Sequence, residues 1–133
     1  MTVQEVIDYI HSANWMGSVP CLSRTQNLLA MILAQNTPIM LLDEPTAHMD
    51  KSYEENFLRL LLRLKQTRQK SVLVVLHDLT AAVAYADDIA VLDGGKLLFS
   101  GTKEECLDRE ILEKTFDLKR YTAEDGKIFF SAK

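Results

Sequence analysis

An α/β fold is predicted by the order of apolar segments along this 133-residue chain. Three short, continuously apolar runs end at polar residues, and helix-like patterns separate them. Continuous rather than alternating apolarity predicts strands that are buried on both faces, as in parallel sheets. Strands that alternate with helices predict crossover connections. We therefore expect a mainly parallel sheet flanked by helices, with β-hairpins towards the C-terminus.

The strand and helix boundaries follow from the spacing of apolar residues. Tyr53, Phe57 and Leu64 recur at helical spacing, which predicts an amphipathic helix between the first two apolar runs. A shorter pattern of small residues predicts a second helix before the third run. The predicted strands are 39–42, 72–76 and 89–92, and the helices of this region are 51–67 and 80–86. Upstream of the first strand, helices are predicted at 2–10 and 26–35.

The segment after the third strand predicts two hairpins with short helices between them. Residues 93–96, Asp-Gly-Gly-Lys, turn the chain into a strand at 97–99. Thr102 and Glu105 form a capping-box pattern that predicts a helix start. A further helix is predicted up to Phe116. The final hairpin is predicted to pair 119–121 with 127–130.

Composition excludes several classes of protein. The net charge of −4, from 15 basic and 19 acidic residues, gives no reason to expect a nucleic-acid partner. Cys21 and Cys106 have no metal-ligand spacing, so we expect two reduced thiols in a cytoplasmic protein. The apolar runs are far shorter than the roughly 18 residues that span a bilayer, and the N-terminus does not resemble a signal peptide.

The chemistry-bearing side chains cluster at predicted strand ends. Asp43 and Glu44 follow the first strand, and His77 and Asp78 follow the second. Ligands of parallel sheets bind beyond the carboxyl ends of the strands, so we expect these groups on one rim. Asp43 is suited to hold Mg²⁺, Glu44 to activate water as a general base, and His77 to contact a phosphate. Taken singly, an acid pair here is also typical of a helix cap, and a lone histidine of a structural role.

The combination of these segments resembles the ATP-binding cassette (ABC) ATPase family. Residues 41–46, Leu-Leu-Asp-Glu-Pro-Thr, resemble the Walker B strand with its catalytic glutamate. Residues 47–50, ending at Asp50, resemble the D-loop, and residues 76–79 resemble the switch-histidine segment. The tail at 85–116 is similar to that of importers of iron-siderophores, haem and cobalamin.

The resemblance implies a mechanism and partners. It implies a RecA-like P-loop NTPase core, with ATP and Mg²⁺ as cofactors. Asp43 would be the metal ligand, Glu44 and His77 would be catalytic, and Asp50 would contact nucleotide. It also implies a membrane permease subunit as partner, a homo-oligomer, and a cytoplasmic location at the inner face of the membrane.

Two motifs of the family are absent or altered. The 133 residues contain no Gly-Lys-Ser or Gly-Lys-Thr, the segment that cradles the phosphates of ATP. Residues 22–26, Leu-Ser-Arg-Thr-Gln, resemble the family's signature motif but replace both of its glycines. Ser23 and Gln26 remain as candidate nucleotide contacts, whereas Arg24 and Thr25 would obstruct close approach to phosphate. We therefore expect this chain alone to be unable to bind ATP.

The resemblance predicts one truncated ABC ATPase domain. Residues 1–27 would be a remnant of the glutamine-loop and helical region, 28–101 the core from Walker B to switch histidine, and 102–133 the C-terminal helices and hairpin. Two other functions stay open at this point. One is a non-catalytic module that self-associates through an exposed sheet edge. The other is a non-transport ABC protein of translation or DNA repair.

Overall fold

The computed structural model describes residues 30–31 and 34–133. The helix predicted at 2–10 lies outside these residues, and of the helix predicted at 26–35 the structure describes Ala30, Met31 and Ala34 as helical. The chain divides into two compact units, with the boundary between Val75 and Leu76. The prediction of one domain remains a prediction.

The first unit contains two parallel strands joined by a long helix. Strand β1 (Ile39–Asp43) leads through helix α1 (Lys51–Arg68) to strand β2 (Ser71–Val75). The strands pair in parallel, with Ile39 opposite Ser71 and Asp43 opposite Val75. The apolar stripe of α1 is buried, and α1 packs against β2. The buried residues of this stripe are Phe57, Leu58, Leu60, Leu61 and Leu64.

Among the described residues, the side chains on one face of this sheet are buried and those on the other face are exposed. Met40 and Leu42 of β1 are 2% and 8% exposed. Their neighbour Leu41 is 67% exposed, and Leu73 beside it in β2 is 61% exposed. The prediction that both strands are buried on both faces is therefore wrong for this structure. The continuous apolar pattern indicates which residues can be buried. Whether they are buried depends on other elements that pack on each face of the strand.

A buried lysine ties together the segments that precede the two strands. Lys70 is 6% exposed, and its Nζ donates to the Thr37 carbonyl oxygen at 2.6 Å and to Asn36 Oδ1 at 3.5 Å. The Ser71 amide donates to the Pro38 carbonyl oxygen at 2.9 Å. Burial of the Lys70 ammonium is costly unless it is hydrogen-bonded, so these contacts are expected to be retained. They stabilise the alignment of β1 and β2 at their first residues.

The second unit contains two antiparallel hairpins and three short helices. Its elements are α2 (Leu79–Tyr85), β3 (Asp88–Asp93), β4 (Lys96–Thr102), α3 (Lys103–Asp108), α4 (Ile111–Phe116), β5 (Leu118–Thr122) and β6 (Ile128–Ala132). Gly94 and Gly95 form the β3–β4 turn at φ 54° and 75°, which glycine adopts without steric cost. Both halves of the capping box are formed between Thr102 and Glu105 at the start of α3.

Strand β3 pairs with β4 and not with a parallel strand. The strands that the structure describes form three two-stranded sheets, β1–β2, β3–β4 and β5–β6. The expectation that the third apolar run extends a parallel sheet is therefore not confirmed. The hairpin turn explains the pairing, because a two-residue connection brings β4 back beside β3 at once.

A single apolar cluster holds the second unit together. Its buried members are Val83, Val91, Phe99, Cys106 and Leu112, which come from five different elements. Burial raises the pKa of the Cys106 thiol, and the nearby Glu113 carboxylate raises it further. In the described part of the chain, no helix is long and apolar enough to cross a bilayer.

Candidate functional site

The two strands of the first unit end at the same edge of their sheet. Asp43 is the last residue of β1 and lies opposite Val75, the last residue of β2. The Glu44 amide donates to the Val75 carbonyl oxygen at 3.1 Å, which extends the pairing one step beyond the strand. Asp43 and Glu44 are both exposed. Two carboxylates therefore stand at the carboxyl edge of a parallel pair, where ligands of α/β sheets bind.

The backbone of Glu44 has a left-handed conformation. Its φ of 48° is uncommon for a residue with a side chain and costs on the order of 1 kcal/mol. Two hydrogen bonds hold it there, because its amide binds Val75 and its carbonyl oxygen accepts from the Ala47 amide at 3.2 Å. The turn ends the strand between the two acids and breaks the regular alternation of side chains. Asp43 and Glu44 therefore differ in backbone conformation, and their carboxylates can have different roles.

The loop from Glu44 to Asp50 closes on the start of α1. The Met49 amide donates to the Thr46 carbonyl oxygen at 3.1 Å, and His48 has a φ of 68°. Asp50 is the N-cap of α1, and its Oδ1 accepts from the Tyr53 amide at 3.0 Å. Asp43, Glu44 and Asp50 are thus brought onto one short loop that a strand and a helix fix at its two ends.

The second predicted strand end carries His77 just before α2. His77 is exposed, and Asp78 after it is the N-cap of α2. Asp78 Oδ1 accepts from the Ala81 amide at 3.1 Å. His77 lies in the second unit, and its closeness to Glu44 remains a prediction. Ser23 and Gln26 lie outside the described residues.

Both helix-capping aspartates, Asp50 and Asp78, were missed as caps by the sequence analysis. The sequence contains a signal for both caps, because an aspartate that immediately precedes an amphipathic run is a favoured N-cap. By contrast, the left-handed backbone of Glu44 has no sequence signal, since glutamate rarely adopts it. Capping does not exclude nucleotide contact by Asp50, because only one of its carboxylate oxygens has a bond to the helix start.

The described residues contain no group of three histidine, cysteine, aspartate or glutamate side chains that could hold a metal ion. Asp43 can therefore offer one carboxylate at this edge. That donor set fits Mg²⁺ in the form in which water and substrate phosphates supply most of its ligands. It does not fit a metal held by protein groups alone.

The fold is shared with ATP-binding cassette domains of known structure. An ABC transporter described as of metal-chelate type, in an inward-facing conformation, superposes with a TM-score of 0.75 at 24% identity, over 96% of this chain and 53% of that one. The ATP-binding cassette MJ0796, in a post-hydrolysis state with ADP and phosphate, superposes with a TM-score of 0.61 at 26% identity, over 75% of this chain and 47% of that one.

The homologues of this chain are ATP-binding subunits of ABC transporters. Petrobactin import ATP-binding protein FpuD of Bacillus anthracis is 38% identical over 96 residues, which are 72% of this chain and 35% of that protein. Ferric enterobactin transport ATP-binding protein FepC of Escherichia coli K12 is 37% identical over 77% of this chain and 38% of that protein. Hemin import ATP-binding protein HmuV of Rhodococcus jostii is 42% identical over 70% of this chain and 32% of that protein.

The chain spans about a third of the length of the curated relatives that it matches. No family model matches the sequence. The similarity therefore establishes homology with siderophore and haem importer subunits over this part of their length.

Proposed function

We propose that this chain is part of an ATP-hydrolysing subunit of an ABC importer, whose cargo is an iron-siderophore complex, haem or cobalamin. The observation that carries the proposal is the edge of the β1–β2 pair, where Asp43 and Glu44 follow a strand in the segment that resembles Walker B. The importer relatives, which act on petrobactin, ferric enterobactin and hemin, support this cargo class. Its partner would be a membrane permease subunit, at the cytoplasmic face of the membrane.

Each residue of the site would have its own role in hydrolysis. Asp43 would hold Mg²⁺, which neutralises phosphate charge when it is bound. Glu44, held by its two backbone hydrogen bonds, would orient and deprotonate the attacking water. His77 would donate to a terminal phosphate oxygen from its position before α2. Asp50, together with Ser23 and Gln26, would contact nucleotide.

We further propose that the 133-residue chain does not bind ATP by itself. The sequence contains no Gly-Lys-Ser or Gly-Lys-Thr that could cradle the β- and γ-phosphates. Without phosphate oxygens, Mg²⁺ at Asp43 would keep mostly water ligands and bind weakly. The ATPase activity would then require phosphate contacts that come from elsewhere.

Two titrations test these proposals. Amide NMR spectra of the purified chain are recorded with increasing Mg²⁺, and shifts are expected at Asp43 and Glu44. Asp43→Asn should abolish these shifts, whereas Asp93→Asn, which changes the exposed acid that ends β3, should leave them intact. Shifts that persist in Asp43→Asn would disprove the metal role of Asp43.

The second titration adds a fluorescent ATP analogue with Mg²⁺. We expect no binding at micromolar concentrations. Micromolar binding would show that another segment of this chain supplies the phosphate contacts, and the proposed incompetence would be wrong.

Self-association is a second candidate function, and the uncovered face of the β1–β2 sheet favours it. Ile39 and Leu41 are 58% and 67% exposed, and Leu73 and Val75 are 61% and 49% exposed. In a parallel pair with this register, these four side chains share one face. Burying that apolar face against a second copy would be favourable, and the chain would then act as a homo-oligomeric module without turnover.

Light scattering coupled to size-exclusion chromatography tests this candidate. We expect oligomers whose fraction rises with protein concentration and falls in Leu73→Lys. Gln66→Lys, at an exposed position of α1, serves as a check that an added basic side chain alone has no such effect. A wild-type chain that stays monomeric at high concentration would contradict self-association.

A further inference from the structure

The C-terminal hairpin packs against the helix that follows His77. Strand β6 lies against α2 within the second unit. Ile128 and Phe130 of β6 pack on the buried apolar cluster, which includes Val83 of α2, a residue only 4% exposed. The last strand of the chain is thereby part of the support of α2.

The inward and outward faces of β6 are clearly separated. Ile128 and Phe130 are half-buried, whereas Phe129 between them is 43% exposed. This alternation is expected of a strand with one packed face. It also provides a matched pair of phenylalanines, one that contacts the cluster and one that does not.

The hairpin is connected to α4 by a half-buried ion pair. Arg120 of β5 contacts Glu113 of α4, with 3.0 Å between Nε and Oε1. Its Nη1 also donates to the Leu107 carbonyl oxygen at 3.1 Å. Glu113 is only 13% exposed at its side chain. Because this contact is partly shielded from water, it helps to fix β5, and β6 through it, to the α3–α4 segment.

The start of α2 is connected to the same cluster. Leu79, the first residue of α2, packs against the cluster together with Ile128 and Phe130. Asp78 caps the helix, and its carbonyl oxygen accepts from the Ala82 amide at 2.9 Å. His77 immediately precedes this cap and belongs to no helix or strand.

Helix α2 is too short to be stable on its own. It has seven residues, and isolated helices shorter than about 12 residues are marginal in water. Its position therefore depends on what it packs against. Within the second unit, the position of the His77 backbone follows from the position of this helix start.

We propose that Ile128 and Phe130 are positioning residues for His77, which act through Leu79 and the Asp78 cap. The proposal rests on the proposed function, in which His77 contacts a terminal phosphate. The C-terminal hairpin would then keep the imidazole at the place where hydrolysis requires it. A substitution at the β6–α2 contact would then displace His77, although the substituted residue is far from His77 in the sequence.

The test compares Phe130→Leu with Phe129→Leu by NMR, in the absence of nucleotide. Both variants remove the same ring from adjacent positions of β6. The ring ¹H–¹³C signals of the three histidines are followed in each. We expect the His77 signal to shift in Phe130→Leu and to stay in place in Phe129→Leu. The His48 signal, from the loop between β1 and α1, should not move in either variant.

Two results would overturn the proposal. One is an unchanged His77 signal in Phe130→Leu while the methyl signals of Val83 and Leu112 move, since the cluster would then be disturbed without an effect on the histidine. The other is an equal shift of His77 in both variants. If Phe130→Leu does not fold, Ile128→Val decides by the same criteria, because it removes a single methylene from the same face.

The nucleotide-free design separates this proposal from the proposed function. Because this chain is proposed not to bind ATP by itself, its His77 signal is expected to stay unchanged when Mg²⁺ and ATP are added, and a response would bear on the proposed function and not on positioning. The effect of Phe130→Leu on His77 bears only on positioning. Each can fail while the other stands.

Discussion

The sheet of the first unit and the hairpins of the second both carry apolar side chains, but the two units cover them differently. In the β1–β2 sheet, Met40 and Leu42 are buried while Ile39 and Leu41 stay exposed. In the second unit, Val83, Cys106 and Leu112 from three helices are buried in one cluster with Val91 and Phe99. The candidate acids thus stand on the unit whose sheet is half covered, whereas the supporting elements of His77 form a closed cluster.

The two units therefore differ in which apolar side chains of the described residues are exposed. An apolar sheet face in water is unfavourable, so the first unit offers a surface for another layer. The second unit has its uncovered leucines at the β3–β4 turn, at Leu92, Leu97 and Leu98.

Removing a central ring or leucine from either core should have the largest effect. Phe57 and Leu112 are 0% and 2% exposed. Phe57→Ala is expected to lower the free energy of unfolding by about 3–5 kcal/mol, and Leu112→Ala by about 2–5 kcal/mol, through lost burial and the cavity that remains. Urea denaturation followed by circular dichroism measures both.

The matched controls for these two variants are Tyr53→Ala and Phe116→Ala. Tyr53 is on the same helix as Phe57 but 46% exposed, and Phe116 is on the same helix as Leu112 but 41% exposed. Each control should lower the free energy of unfolding clearly less than the buried variant with which it is paired. Equal losses within a pair would mean that the buried and exposed faces of that helix have been assigned wrongly.

Adjacent leucines of β1 should respond in opposite ways. Leu42→Ala is expected to lower the free energy of unfolding by about 2–5 kcal/mol. Leu41→Ala, on the uncovered face, should change it by no more than about 0.5 kcal/mol. The measurement is urea denaturation at low protein concentration, where oligomers do not contribute. A large loss in Leu41→Ala would show that this face is covered, and the contrast between the two units would disappear.

Loss of the α1 cap should have an intermediate effect. Asp50→Ala removes the acceptor of the Tyr53 amide and is expected to cost about 1 kcal/mol in the free energy of unfolding. Asp50→Asn keeps an oxygen acceptor and should cost much less. Thermal and urea denaturation of both variants provide the measurement. A similar loss in both would mean that the charge of Asp50, and not its cap, stabilises the helix.

The smallest effect is expected from the thiol in the core of the second unit. Burial and Glu113 raise the pKa of Cys106, so the folded state retains this proton at pH values where the unfolded state loses it. The stabilisation is fully present below the pKa of the unfolded thiol and declines as pH rises from there towards the raised pKa of the folded state. Cys106→Ala should therefore reduce the decline of stability at alkaline pH.

Denaturation curves between neutral pH and about pH 10, above the ordinary thiol pKa near 8.5, measure this difference. Cys21→Ser is the comparison, because it removes the other thiol of the sequence. An alkaline decline that is unchanged in Cys106→Ala would contradict the contribution of this buried thiol.

Much of the local structure was predictable from residue spacing. The helix predicted at 51–67 is observed at Lys51–Arg68, and the strand predicted at 39–42 is observed at Ile39–Asp43. The capping box at Thr102 forms as predicted. These features are local, since apolar periodicity and capping depend on residues a few positions apart.

The candidate site was predictable in its residues but not in its geometry. The placement of Asp43 at a strand end follows from the apolar run that precedes it. The left-handed turn at Glu44 depends on the Val75 carbonyl, which lies 31 residues further along the chain. No local pattern reports such a bond. The closeness of Glu44 and His77 and the roles of Ser23 and Gln26 remain predictions.

Residue order and spacing were enough to predict the order of helices and strands, the residues that can begin a helix, and the acids and histidine that can carry chemistry. The partner of each strand and the buried face of each sheet depend on contacts between residues that are distant in the sequence. Strand β3 could pair on either edge by its pattern, and it pairs with β4 because the Gly94–Gly95 turn returns the chain there. Burial needs a second layer as well as an apolar residue, and that layer comes from distant parts of the chain.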